Sequence, residues 1–112
     1  MIGVLRILHI TSEGAWAEAV ARGAYTADSL ATEGFIHCST PAQVVWVANT
    51  RFRGRTDLIL LHIDPLTLDA DVRYENLEGG RERFPHVYGA IPVSAVVEVT
   101  PFRPADDGTF SV

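Results

Sequence analysis

Apolar and polar positions alternate near the start of the chain, and a period of two marks a strand. Val4 to Ile10 is predicted as that strand. Leu5, Ile7 and His9 share a face that is apolar until its end, where His9 stands. The period then lengthens. Ala15, Trp16, Ala19 and Val20 fall at helical spacing, Thr11 or Ser12 occupies the N-cap position, and Gly23 follows Arg22 as a stop. Thr26 to Thr32 reads as a short helical turn closed by Gly34. Phe35 to Ser39 reads as a second strand, with Phe35, His37 and Ser39 on one face and Ile36 and Cys38 on the other.

The sharpest boundary comes next. Thr40-Pro41-Ala42-Gln43 has a capping residue, Pro at the first helical position and Gln at the third, which is a capping box. Val44, Val45, Val47 and Ala48 then carry a helix to about Phe52, and Gly54 stops it. Asp57 to Asp64 is the most apolar strand, ended by Pro65. Val72 to Glu75 is a short strand, Asn76 to Arg83 a polar loop, and Phe84 to Ala90 a further segment. Val93 to Thr100 is a late Val-rich strand. Residues 101–112 hold two Pro, two Asp and a Gly and read as a loose tail behind a domain of residues 1–100. Strands outnumber helices, and the helices fall in the first half. This points to an α+β fold rather than a doubly wound parallel sheet.

Composition agrees with one globular domain. The chain has 112 residues, 47% apolar and 21% charged. The net charge is −5 and all nine basic residues are Arg. An acidic chain argues against general nucleic-acid binding, which needs basic surface to displace counterions. Local Arg clusters still suit a single phosphate: Arg51, Arg53 and Arg55 form one, Arg81 and Arg83 another. The lone Cys38 forms no internal disulfide. No signal peptide and no membrane-length apolar run is read, so a cytoplasmic location and no membrane partner are expected.

Three histidine segments carry the candidate chemistry. His37 precedes Ser39 and the Thr40 helix, whose first-turn N–H groups and dipole favour an anion; the other reading is a buried His bonded to a carbonyl. His9 at a strand end can donate to a ligand hydroxyl or simply face water. In Phe84-Pro85-His86-Val87-Tyr88-Gly89, His86 and Tyr88 share a face if the segment is extended, and can meet a ligand ring or plug the fold. Glu75 can orient a His or stabilise a cation, with Arg73 as its partner. His62 reads as a core or edge residue. No His-x-His or His-x₃-His spacing suggests a metal site. Cys38 points away from His37 and so lacks an activating base. Gly79-Gly80 is no phosphate-binding fingerprint.

Leu8-His9-Ile10-Thr11, Trp16, Tyr25, Glu33-Gly34-Phe35-Ile36-His37-Cys38-Ser39-Thr40, Gln43, Tyr74-Glu75 and Phe84-Pro85-His86-Val87-Tyr88-Gly89 resemble domain-of-unknown-function family 952 of bacteria and plants. The resemblance spans about residues 5–100. That family is grouped with the ADP-ribosyltransferase-like proteins, which implies a small split or mixed, mostly antiparallel sheet with two to three helices. It implies NAD as the ligand, and glycosyl transfer. His9 and Thr11 then grip a ribose. Phe35, His37 and Ser39 frame the nicotinamide or phosphate side. His86, Tyr88, Arg73 and Glu75 close the pocket, with His37, His86 and Glu75 as catalytic candidates. Two other readings stand beside this one: a non-catalytic module for a small anionic metabolite or partner protein, and a purely structural histidine knot.

Overall fold

The computed structural model describes residues 6–77 and 79–111. Its elements, in chain order, are β1 (Ile7–Ser12), α1 (Glu13–Arg22), β2 (Ala24–Tyr25), α2 (Asp28–Thr32), β3 (Ile36–His37), α3 (Val44–Arg51), β4 (Leu58–Ile63), β5 (Val72–Glu75), β6 (Phe84–Val87), β7 (Ile91–Pro92) and β8 (Val96–Pro101). The strands form three small sheets ordered β1-β4-β8, β2-β7 and β3-β6-β5, and every ladder is antiparallel. The α+β expectation holds at that level. No parallel pairing occurs among the described residues, so the sheet is not mixed. Val4 and Leu5 of the first predicted strand lie outside the described residues.

Sequence chemistry explains the first helix. The Ser12 hydroxyl accepts the Ala15 N–H at 3.1 Å, and Gly23 ends the helix in the left-handed region at φ 86°. Ala15, Trp16 and Ala19 pack inward, but Val20 is exposed, so the buried stripe is narrower than its spacing suggests. The helix α3 departs further from expectation. It starts at Val44, not at Pro41. Half of the capping box does form, since Gln43 Oε1 accepts the Thr40 N–H at 3.0 Å. The Gln43 and Val44 N–H groups both bond the Thr40 carbonyl, which closes residues 40–44 as a turn before the helix begins.

Two apolar clusters make the core, and β1 feeds both because its side chains alternate. Ile7 joins Ile36, Leu61, Ile63, Val87 and Ile91; Leu8 and Ile10 join Val44, Ala48, Leu58 and Leu60. The β1-β4 pair is thus covered on both faces, which is why Leu58 to Leu61 is continuously apolar. The late strand is shorter than predicted. Val93–Ala95 forms a 3-10 turn, and Ile91–Pro92 pairs with Ala24–Tyr25.

Residues 101–111 are not a loose tail. Phe102 and Phe110 are buried in the second cluster with their rings 4.8 Å apart. Asn49 holds the segment down: its Oδ1 accepts the Phe110 N–H at 2.7 Å and its Nδ2 donates to the Phe110 carbonyl at 3.2 Å. Two aromatics outweigh the polar spacing that made the segment look free. Asn49→Ala is expected to cost about 1–3 kcal/mol in urea unfolding, because it leaves both backbone groups unpaired. An unchanged midpoint would contradict that role.

Candidate functional site

The register of the β3-β6-β5 sheet assembles the site. His37 pairs with His86, and His86 pairs with Arg73. In antiparallel pairing, opposed residues and those two positions away share a face. Phe35 and Ser39 therefore flank His37 on the same side as Phe84, Tyr88, Arg73 and Glu75. A two-residue bridge, with reciprocal Leu8–Ser39 backbone bonds of 2.7 Å, joins this sheet to β1 and brings His9 alongside.

Glu75 is the hub of the polar face. Its Oε1 accepts from Tyr88 Oη at 2.5 Å and from His86 Nδ1 at 3.0 Å. Tyr88 first, and then His86, hold the Glu75 carboxyl below its ordinary range, while the same carboxylate pushes the Tyr88 phenol up. With Nδ1 donating, Nε2 of His86 has no protein partner among the described residues. No buried side-chain nitrogen there is left unpaired, so Nε2 is open to the cavity. Phe35 stacks on His86 at 4.2 Å and 23°, and also touches Tyr88 and His37. The Arg73 guanidinium lies 4.5 Å over the Tyr88 ring. His37 stands edge-on to His86 with centroids 5.3 Å apart, and its Nε2 pairs with Glu33 at 3.0 Å.

A cavity of about 520 Å³ opens over this face, between the sheet, α3 and residues 76–77 and 80–82. His9, His37, Ser39, Glu75 and His86 all line it. So do Arg51 and Arg81, one arginine from each cluster read in the sequence. Thr11, Phe35, Arg73 and Tyr88 do not. Phe35, Arg73 and Tyr88 support the wall from behind or beside it, and Thr11 is sealed in the interior. Arg55 is engaged with Asp57 at 2.8 Å.

Two expected roles change with this geometry. His9 reaches the cavity wall with both ring nitrogens committed: Nδ1 lies 2.5 Å from the His37 carbonyl and Nε2 2.8 Å from Tyr25 Oη. A carbonyl only accepts, so Nδ1 carries the proton and Nε2 accepts from the phenol. The Tyr25 and Thr11 hydroxyls are 2.9 Å apart, which leaves Thr11 to supply the proton of the last contact. Neither His9 nor Thr11 therefore has a free polar group for a ribose. At the predicted helix-terminus anion site, the Thr40, Gln43 and Val44 N–H groups are bonded within the turn instead of facing a ligand. His62 is part-buried against Thr100 Oγ1 at 2.9 Å, on the far sheet.

Burial pushes the Cys38 thiol well above its usual range, so it stays protonated and unreactive although it lines the cavity. Native protein at about pH 8 is expected to resist iodoacetamide, while denatured protein labels fully. Rapid labelling of the native state would contradict the burial.

In the sequence Tyr25 and Glu33 stand only among the residues of the family resemblance, with no site role, and the Trp46–Phe84 stack is not foreseen. Tyr25 lies in a two-residue strand too short to show periodicity. Trp46 had a signal: it is the one large aromatic in a Val- and Ala-rich helix.

Fold and site together define a small α+β domain with a histidine-lined cavity over one sheet face. The chain belongs to the family described as protein of unknown function (DUF952), which matches residues 10–99. It is similar to the crystal structure of protein CC0527 from Caulobacter crescentus, at 33% identity and a TM-score of 0.85, over 95% of this chain and 93% of that one. The solution NMR structure of CC0527 matches at 33% identity and a TM-score of 0.82, over 93% and 90% of the two chains. No curated protein matches the chain.

Proposed function

We propose that the cavity binds a nucleotide of the NAD class and that the Glu75–His86 pair acts on it in a glycosyl-transfer reaction, as the ADP-ribosyltransferase-like resemblance suggests. The carrying observation is the carboxylate-held imidazole whose Nε2 is open to the cavity. NAD is here a substrate. An acceptor hydroxyl attacks the ribose carbon bearing nicotinamide, His86 Nε2 takes the hydroxyl proton, and nicotinamide leaves with the bonding pair. Glu75, held ionised by Tyr88 and His86, faces the positive charge that develops on the ribose. Arg51 and Arg81 on the cavity wall suit the pyrophosphate. No step uses Cys38.

Binding without turnover is the second reading. It is favoured by the two donors that already occupy Glu75 Oε1. Incubation with NAD separates the two: release of nicotinamide supports the enzyme, and binding of ADP-ribose with no release supports the module.

A further inference from the structure

Trp46 lies on α3 with 57% of its surface exposed, although it lines the cavity. Its indole stacks on Phe84 with centroids 6.3 Å apart and planes at 28°. That contact leaves most of a large aromatic surface open to water at the cavity mouth, an arrangement that folding alone does not reward. The stack is also fixed in place. Phe84 sits two residues from His86 on the same strand face and opposite Glu75 in register. Gln43, just before α3, donates from Nε2 to the Arg83 carbonyl at 2.8 Å while its Oε1 accepts the Thr40 N–H. This one buried side chain ties the helix that carries Trp46 to the strand that carries Phe84.

We infer that Trp46, backed by Phe84, is the platform on which the planar heteroaromatic base of a nucleotide stacks. Base–aromatic stacking is tolerant of base identity, because every base has a π-face. Arg81 on the same wall supplies positive charge for the attached phosphate. The assignment rests on the nucleotide reading of the cavity and adds which end of the ligand lies at the mouth. The adenine base stands over Trp46 at the mouth, and the sugar and phosphates run from it toward the reacting ribose at His86.

The test compares AMP with ribose 5-phosphate, which keeps the sugar phosphate and lacks the base. Trp16→Phe leaves Trp46 as the sole tryptophan, so its fluorescence reports the stack directly. AMP is expected to quench that emission and to bind at least about ten-fold more tightly than ribose 5-phosphate, the scale of one base–aromatic stack. Trp46→Leu, at an exposed position, is expected to keep the thermal midpoint and to lose that advantage, so that both probes bind alike. If AMP binds Trp46→Leu as it binds the wild type, the platform is refuted and the nucleotide reading survives. If neither probe binds the wild type, both are refuted.

Discussion

Between about pH 7 and pH 4.5 the wild-type protein is expected to lose roughly 2–3 kcal/mol of unfolding free energy through His9 alone. Burial lowers His9 from 6.5 to about 4, opposed by its bond to the His37 carbonyl and helped by the nearby His37 ring. A His with a depressed folded pKa stays neutral where the unfolded chain already takes up a proton. Stability is then complete above about pH 6.5 and drains away as pH falls toward 4. The structural cause is definite. Protonating His9 puts a proton on Nε2, the atom that accepts from Tyr25, inside a site with 8% exposure. Urea unfolding across this range checks it, with His9→Ala as the comparison. The variant is expected to be less stable at pH 7, by about 1–3 kcal/mol for the unpaired Tyr25 and His37 groups, and to show a flatter pH slope. An equal slope in both proteins would place the titration elsewhere. The carboxylates held down by partners, Glu75, Asp57 and Asp107, contribute stability above their ordinary range and lose it as pH falls below that range.

Under the proposed glycosyl transfer, His86→Ala is expected to lower kcat for nicotinamide release by about 10²–10⁴-fold, the usual contribution of a positioned acid–base group. Glu75→Gln tests the same pair from the other side. Glutamine can still accept from Tyr88 and His86, but it brings no charge to the ribose, so kcat falls while ADP-ribose affinity changes little. Because His86 is buried and packed under Phe35, His86→Gln serves as the variant that best preserves the stack. Retention of wild-type turnover in both His86 variants would remove the proton-transfer role. Loss of turnover together with loss of ADP-ribose binding would make the pair a holding device instead.

Much of this face was legible in the sequence because strand periodicity is local. His37 with Phe35 and Ser39, and His86 with Tyr88, were placed on shared faces by counting in twos. The ladder between Ile36–His37 and His86–Val87 then set the two groups side by side. The helix caps at Ser12 and Gly23 were equally local. What was not legible depends on pairing across distance. His9 looked like a strand-end donor, but Tyr25, 16 residues away, takes its Nε2. Thr11, a ribose contact only by the family resemblance, lies sealed beside Tyr25. The Thr40 capping box predicts an open helix terminus, yet the Gln43 and Val44 amides close a turn onto Thr40, and the Gln43 side chain reaches Arg83, 40 residues on. The final segment reads as a tail from its polar spacing, and Phe102 and Phe110 bury it.

The central claim is that the cavity over His37, His86 and Glu75 is a nucleotide site. Titration calorimetry with ADP-ribose at millimolar concentration tests it most directly. Saturable binding to the wild type is expected, much weakened in Arg81→Ala, with the thermal midpoint of that exposed-site variant unchanged. No heat of binding to the wild type, or identical binding to Arg81→Ala, would contradict it.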